Sequence, residues 1–134
     1  MDEAKNEPYM AIVPGEVRGD SFDGTHGVYL VNPLEKPLMN VFARLGAFFS
    51  EETRTIEVSA RTHGPCEVAA KSALRVDVTS HAELDEFVCW WSVTYHLEGK
   101  RYARQFSAGK ALCDAEPIDP CPFLNRKALL LRRV

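Results

Sequence analysis

Residues 87–106, FVCWWSVTYHLEGKRYARQF, constrain this chain more than any other stretch, because side-chain period, aromatic content and turn chemistry agree there. In an extended chain Phe87, Cys89, Trp91, Val93, Tyr95 and Leu97 share one face, while Val88, Trp90, Ser92, Thr94 and His96 share the other. One face is apolar and the other mixed, as in a strand that covers a core on one side only. A two-residue turn at Glu98-Gly99 sets Leu97 opposite Lys100, Tyr95 opposite Tyr102, Val93 opposite Arg104 and Trp91 opposite Phe106. The large side chains then meet, and each aromatic cross-strand pair contributes roughly 0.2–1 kcal/mol beyond an alanine pair. The stretch predicts a β-hairpin.

The rest of the chain reads as further short strands between Gly- and Pro-rich turns. Residues 1–8 are expected to be a flexible N-terminal segment and residues 9–134 a single domain. The apolar run 9–13 stops at Pro14-Gly15, which suits an edge strand, because proline cannot donate to a ladder. Residues 15–27 form an exposed loop of Gly, Asp and Ser, and Arg18-Gly19-Asp20 within it reads as turn chemistry. Strand character returns at 27–31 and ends at Asn32-Pro33. Residues 38–49 read as a strand bent near Gly46, in which Met39, Val41, Ala43, Leu45 and Ala47 alternate. Alternation is clearer at 53–61, a half-exposed strand that His63-Gly64-Pro65 interrupts. Residues 66–78 fit an extended template over a longer span than a helical one, with a helical turn near 68–73 as the alternative. Ser80 and Glu83 fit a capping box, enough for a single helical turn. Gly109, Pro117 and Pro120 leave 107–121 a connection with little regular structure, and 128–134 is a last strand.

Strands at intervals of about ten residues with no long helix predict an all-β fold, an antiparallel β-sandwich of about seven or eight strands with at most one or two short helical turns. The order Asp85, Phe87, Cys89, Trp90, Trp91 in a strand that opens a long hairpin resembles immunoglobulin-like sandwiches. The pattern departs from theirs in having no tryptophan before Trp90 and only Cys66 before Cys89. The resemblance implies immunoglobulin-like architecture and no family.

Function classes are narrowed by what this residue supply lacks. A net charge of -3 on 134 residues supports neither a basic nucleic-acid binder nor a strongly acidic mimic. No apolar run approaches the roughly 20 residues of a membrane span, and MDEAKNEPYM lacks the basic and apolar parts of a signal peptide, so a cytoplasmic address is expected. Cys66, Cys89, Cys113 and Cys121 match no zinc or redox spacing and read as mostly reduced core thiols, with a Cys113–Cys121 disulfide the alternative if the chain is exported. His26, His63, His81 and His96 have no metal-ligand spacing and read as exposed loop residues, His96 alone standing on the hairpin. No phosphate loop or nucleophile elbow occurs, and nothing near Cys113-Asp114 in sequence would lower the thiol pKa. No catalytic residue, metal or cofactor is therefore assigned.

Trp90 remains to be explained. If Trp91 faces the core, Trp90 faces the opposite side with His96, Arg101 and Gln105, and an aromatic edged by arginine has the composition of an interface hot spot. These four residues are the expected interaction surface of a non-catalytic module that binds a protein partner or forms a homo-oligomer. The alternatives are a small-ligand or carbohydrate-binding sandwich that uses Trp90 and tyrosines, and an enzyme on loops around His26, His63 and Asp114.

Overall fold

The computed structural model describes residues 7–17, 25–50, 55–80, 88–109 and 116–134. They form ten strands: β1 (Tyr9–Val17), β2 (Thr25–Asn32), β3 (Leu38–Ser50), β4 (Thr55–Val68), β5 (Ser72–Ser80), β6 (Val88–Leu97), β7 (Lys100–Gly109), β8 (Glu116–Cys121), β9 (Arg126–Leu130) and β10 (Arg132–Arg133). Every pairing is antiparallel, in one sheet of order β5-β2-β1-β9-β8 and a second of four long strands plus the two-residue β10, in order β10-β7-β6-β3-β4. There is no helix among the described residues. The arrangement is consistent with a β-sandwich. The expected helical turn after Ser80 and the tripeptide Arg18-Gly19-Asp20 lie outside the described residues.

The β6–β7 hairpin has the register that alternation and turn chemistry dictate: Leu97 pairs with Lys100, Tyr95 with Tyr102, Val93 with Arg104 and Trp91 with Phe106. Glu98 and Gly99 both take positive φ, 51° and 81°, as a turn matched to the right-handed strand twist requires. The Tyr95 and Tyr102 rings stack with centroids 5.5 Å apart, and the Arg104 guanidinium lies 5.3 Å from the Tyr102 ring centre. Cys89, Trp91, Val93 and Tyr95 are buried, with Leu38, Val41, Ala43 and Leu45 of β3 beside them.

Two hydrogen-bond clusters tie the sheets together. Trp91, fully buried on β6, donates its indole N–H to Asp77 Oδ2 of β5 at 2.9 Å, and Val78 N–H donates to Asp77 Oδ1 at 2.8 Å. The β2–β5 register skips Val76 between the pairs Val28–Asp77 and Tyr29–Arg75, a bulge of the kind that re-aims neighbouring side chains. Asn32, also fully buried, donates the two hydrogens of Nδ2 to the carbonyls of Lys36 and Ala69, at 2.9 and 3.1 Å, with the Val68 carbonyl sharing one of them at 3.3 Å, and its Oδ1 accepts from Leu34 N–H. The β2–β3 and β4–β5 connections are thereby clipped together, with Lys71 N–H donating to the Leu34 carbonyl across them.

Several expectations are corrected. β1 is central, between β2 and β9, and Tyr9, Met10, Ala11, Ile12 and Val13 are buried on both faces. Pro14 is tolerated because the β1–β2 register breaks between Val13 and Val17, so it interrupts no pair there. β4 runs through His63-Gly64-Pro65, since β3 residues 41–43 span β4 residues 63–66 and the surplus residue bulges out. Gly64 permits this at φ 125°, with the Val41 carbonyl oxygen 2.3 Å from where a Cβ would stand. The 107–121 stretch contains β8, whose Pro117 and Pro120 are accommodated because β8 is an edge strand. The 66–78 stretch is extended on both sides of a turn at Ala70-Lys71. Leu131 separates β9 from β10, and the last strand crosses there from one sheet to the other.

Trp91→Ala is expected to destabilise the protein by about 3–5 kcal/mol, as core aromatic truncations do. In a double-mutant cycle of Trp91→Phe with Asp77→Ala, a coupling of about 1.5–3 kcal/mol in urea unfolding would match a hydrogen bond to a charged acceptor, and additive losses would contradict the tie. Burial raises the Tyr95 hydroxyl above its usual 10.0, against the pull of Arg104 and with a smaller push from Tyr102. The folded state then holds that proton more tightly than the unfolded chain. Its contribution is present below about pH 10 and is lost as pH rises through the folded value, so wild type should lose more stability than Tyr95→Phe between about pH 9 and 12.

Candidate functional site

On the sheet β7-β6-β3-β4, alternation turns one row of side chains inward and the next outward. Trp90, Ser92, Thr94 and His96 of β6 face outward, half-buried between their inward, buried neighbours. Their partners on β3 are Gly46, Arg44, Phe42 and Met39, and on β7 they are Ser107, Gln105, Ala103 and Arg101. The four residues expected from sequence, Trp90, His96, Arg101 and Gln105, therefore share one face. His96 and Arg101 are directly paired, while Trp90 and Gln105 occupy adjoining rows.

Two members of this face escaped the sequence reading. Met39 is 43% exposed and Phe42 40%, the large apolar side chains left open among those described on this sheet. Alternation groups Met39 on one face with Val41, Ala43, Leu45 and Ala47. Asn40 takes φ 49°, and the β3–β6 register gains a residue between Met39–His96 and Phe42–Thr94, so Met39 turns outward while Leu38 and Val41 both turn in. An asparagine inside an apolar run was the available signal, since Asn enters the left-handed region more readily than most residues.

Trp90 has a packing role on this face. A Cβ at its cross-strand partner Gly46 would lie 2.2 Å from Cε2 and Cζ2 of the Trp90 ring, so the indole occupies the space that a side chain at 46 would take. Glycine at 46 makes the seat. Charges flank the face: Glu67 of β4 and Arg101 of β7 are exposed, and neither side chain has a hydrogen-bond or ion-pair partner among the described residues. Nδ1 of His96, between Met39 and Arg101 in the pairing, is buried without a hydrogen-bond partner.

The histidines and cysteines divide differently from expectation. His26 lies in β2 and is buried, opposite Thr79 of β5, because the strand begins two residues before the apolar run. His63 lies exposed in β4, and His81 is outside the described residues. Cys66, Cys89 and Cys121 are free thiols, so Cys121 forms no bridge, and Cys113 with Asp114 is outside the described residues. Burial raises the Cys66 and Cys121 thiols above their ordinary 9.0, the Tyr9 hydroxyl partly offsetting it at Cys121. Neither is primed as a thiolate nucleophile. Among the described residues no three His, Cys, Asp or Glu are grouped to hold a metal ion, and no helix is long and apolar enough to cross a membrane.

A half-open cleft lies between the sheets along β4 and β5. It has a volume of about 510 Å³ and is lined by Ala43, Thr62, His63, Arg75, Val76, Asp77 and Val78. Asp77 in its wall is held by Trp91 and Val78, whereas the side chains of Thr62, His63 and Arg75 have no partner among the described residues.

No protein-family model, no curated protein and no solved structure matches this chain. The surface must be read from its own chemistry.

Gly46→Ala is expected to push the Trp90 ring off the sheet and destabilise the wild type by about 1–3 kcal/mol, as overpacking does. In a Trp90→Ser background the same change should be near neutral, since the three atoms nearest that Cβ all belong to the Trp90 ring. Equal losses in both backgrounds, by thermal or urea unfolding, would contradict the seat.

Proposed function

We propose that this chain is a non-catalytic interaction module, a β-sandwich of immunoglobulin-like architecture that binds another protein or a second copy of itself through the outward face of β7-β6-β3-β4. The observation that carries the reading is Met39 and Phe42, each about two-fifths exposed on the same face as Trp90. Exposed apolar side chains edged by Arg44, Arg101 and Gln105 have the composition of an interface centre with a polar rim. The strand pairing supports the architecture. If β1 to β7 take the letters A, B, C, C′, E, F and G, the orders β5-β2-β1 and β7-β6-β3-β4 become E-B-A and G-F-C-C′, as in immunoglobulin-type sheets. The β8–β9 hairpin and β10 are additions to that plan, and the core tryptophan sits on the F position instead of C. The free thiols Cys66, Cys89 and Cys121 support a cytoplasmic address.

A small-ligand reading is favoured by the inter-sheet cleft, where His63 and Arg75 supply polar groups beside Val76 and Val78. That reading places a ligand beside Asp77, and not on Trp90, whose ring already covers Gly46.

Phe42→Ser tests the main reading with little effect on the core, because its ring is already 40% exposed. The variant should keep its melting temperature within a few degrees and weaken association at least tenfold, about 1.4 kcal/mol. Lys127→Ser, at an exposed position of β9 on the other sheet, should leave association unchanged. An interaction that survives Phe42→Ser intact, by sedimentation or by recovery of a partner, removes this face from the function.

A further inference from the structure

We infer that the partner for this face is a second copy of the chain, docked about a two-fold axis that runs along the strands between β6 and β3; the inference rests on the interaction reading above. One row across the sheet reads Glu67, Met39, His96, Arg101 from β4 to β7. Glu67 falls in this row because its neighbours Cys66 and Val68 pair with Val41 and Leu38 on either side of Met39. An anion stands at one end of the row and a cation at the other.

A two-fold along the strands lays β4 of one copy over β7 of the other and β3 over β6, and it keeps every row at its own height. Glu67 of each copy then faces Arg101 of the other, giving two symmetric ion pairs, and Met39 faces His96. In the next row Phe42 faces Thr94, and in the next Arg44 faces Ser92 and Thr62 faces Gln105. No like charges meet in these rows. A two-fold across the strands would instead lay β4 on β4 and β7 on β7, and would move the Glu67–Arg101 row over the Trp90 row, where Arg101 meets Ser107 and no anion. The charge placement selects the first axis. Sheets packed face to face lie about 10 Å apart, a gap that an arginine and a glutamate reaching toward each other span.

The size of the patch sets the strength. Four strands at about 4.8 Å spacing, over the roughly 20 Å from Trp90 to His96, give a footprint of about 400 Å² on each copy and about 800 Å² together. That is below the roughly 1,200 Å² at which stable interfaces begin, so the dimer is weak and reversible, with Kd in the micromolar range or above.

Charge exchange tests this arrangement. Sedimentation velocity of the full chain from about 1 μM to about 1 mM should show a monomer–dimer equilibrium that salt weakens. Arg101→Glu alone and Glu67→Arg alone should each weaken the dimer tenfold or more, and the double variant Arg101→Glu/Glu67→Arg should restore it to within about threefold of wild type. Both positions are exposed, so the circular dichroism spectrum should not change. A wild type that stays monomeric over the whole range overturns self-association. It leaves the face itself to be judged by whether Phe42→Ser loses a different protein. A dimer indifferent to both single exchanges, or one that the double exchange does not restore, overturns this geometry.

Discussion

The burial of Trp91 with its indole N–H satisfied by the opposite sheet is the interaction on which the rest of this structure depends. A fully buried indole contributes more apolar area than any other side chain in this core, and it carries a donor that costs about 1–3 kcal/mol if left without an acceptor. Asp77 supplies the acceptor from β5, with its other oxygen bound to its own strand at Val78. A hydrophobic contact would tolerate sliding of one sheet over the other. A hydrogen bond of 2.9 Å does not, so it fixes how β6 sits against β5 and, through β6, where the outward side chains of that strand stand.

The outward face follows from that constraint by alternation. With Trp91 inward, Trp90 must stand outward, where it would be a large apolar liability on an open sheet. Gly46 resolves part of this by offering bare backbone for the ring to cover, and the ring in turn shields the one position of β3 that has no side chain. Beside it the bulge at Asn40 keeps Leu38 and Val41 in the core and sends Met39 out next to Phe42. The face is thus partly a packing solution and partly open apolar surface. The open part, not Trp90 alone, gives it the character of a contact surface.

Alternation and turn chemistry act between near neighbours, so the residues themselves determined the β6–β7 hairpin, its register to the residue, the inward direction of Trp91 and the shared outward face of Trp90, His96, Arg101 and Gln105. Period two survives in the letters wherever a strand is regular and covered on one side only. Only the tertiary structure decided what breaks or conceals that period. Whether 9–13 is an edge or a centre depends on β9, which lies more than a hundred residues away, and β1 is buried on both faces and so shows no alternation. The bulges at Asn40, Gly64-Pro65 and Val76 each shift the register by a residue, and a one-residue shift carries every later side chain to the other face. That is how Met39 reached the surface, and how the Glu67 and Arg101 flanks came to lie in one row. Those placements come from pairing between distant strands, which no local pattern records.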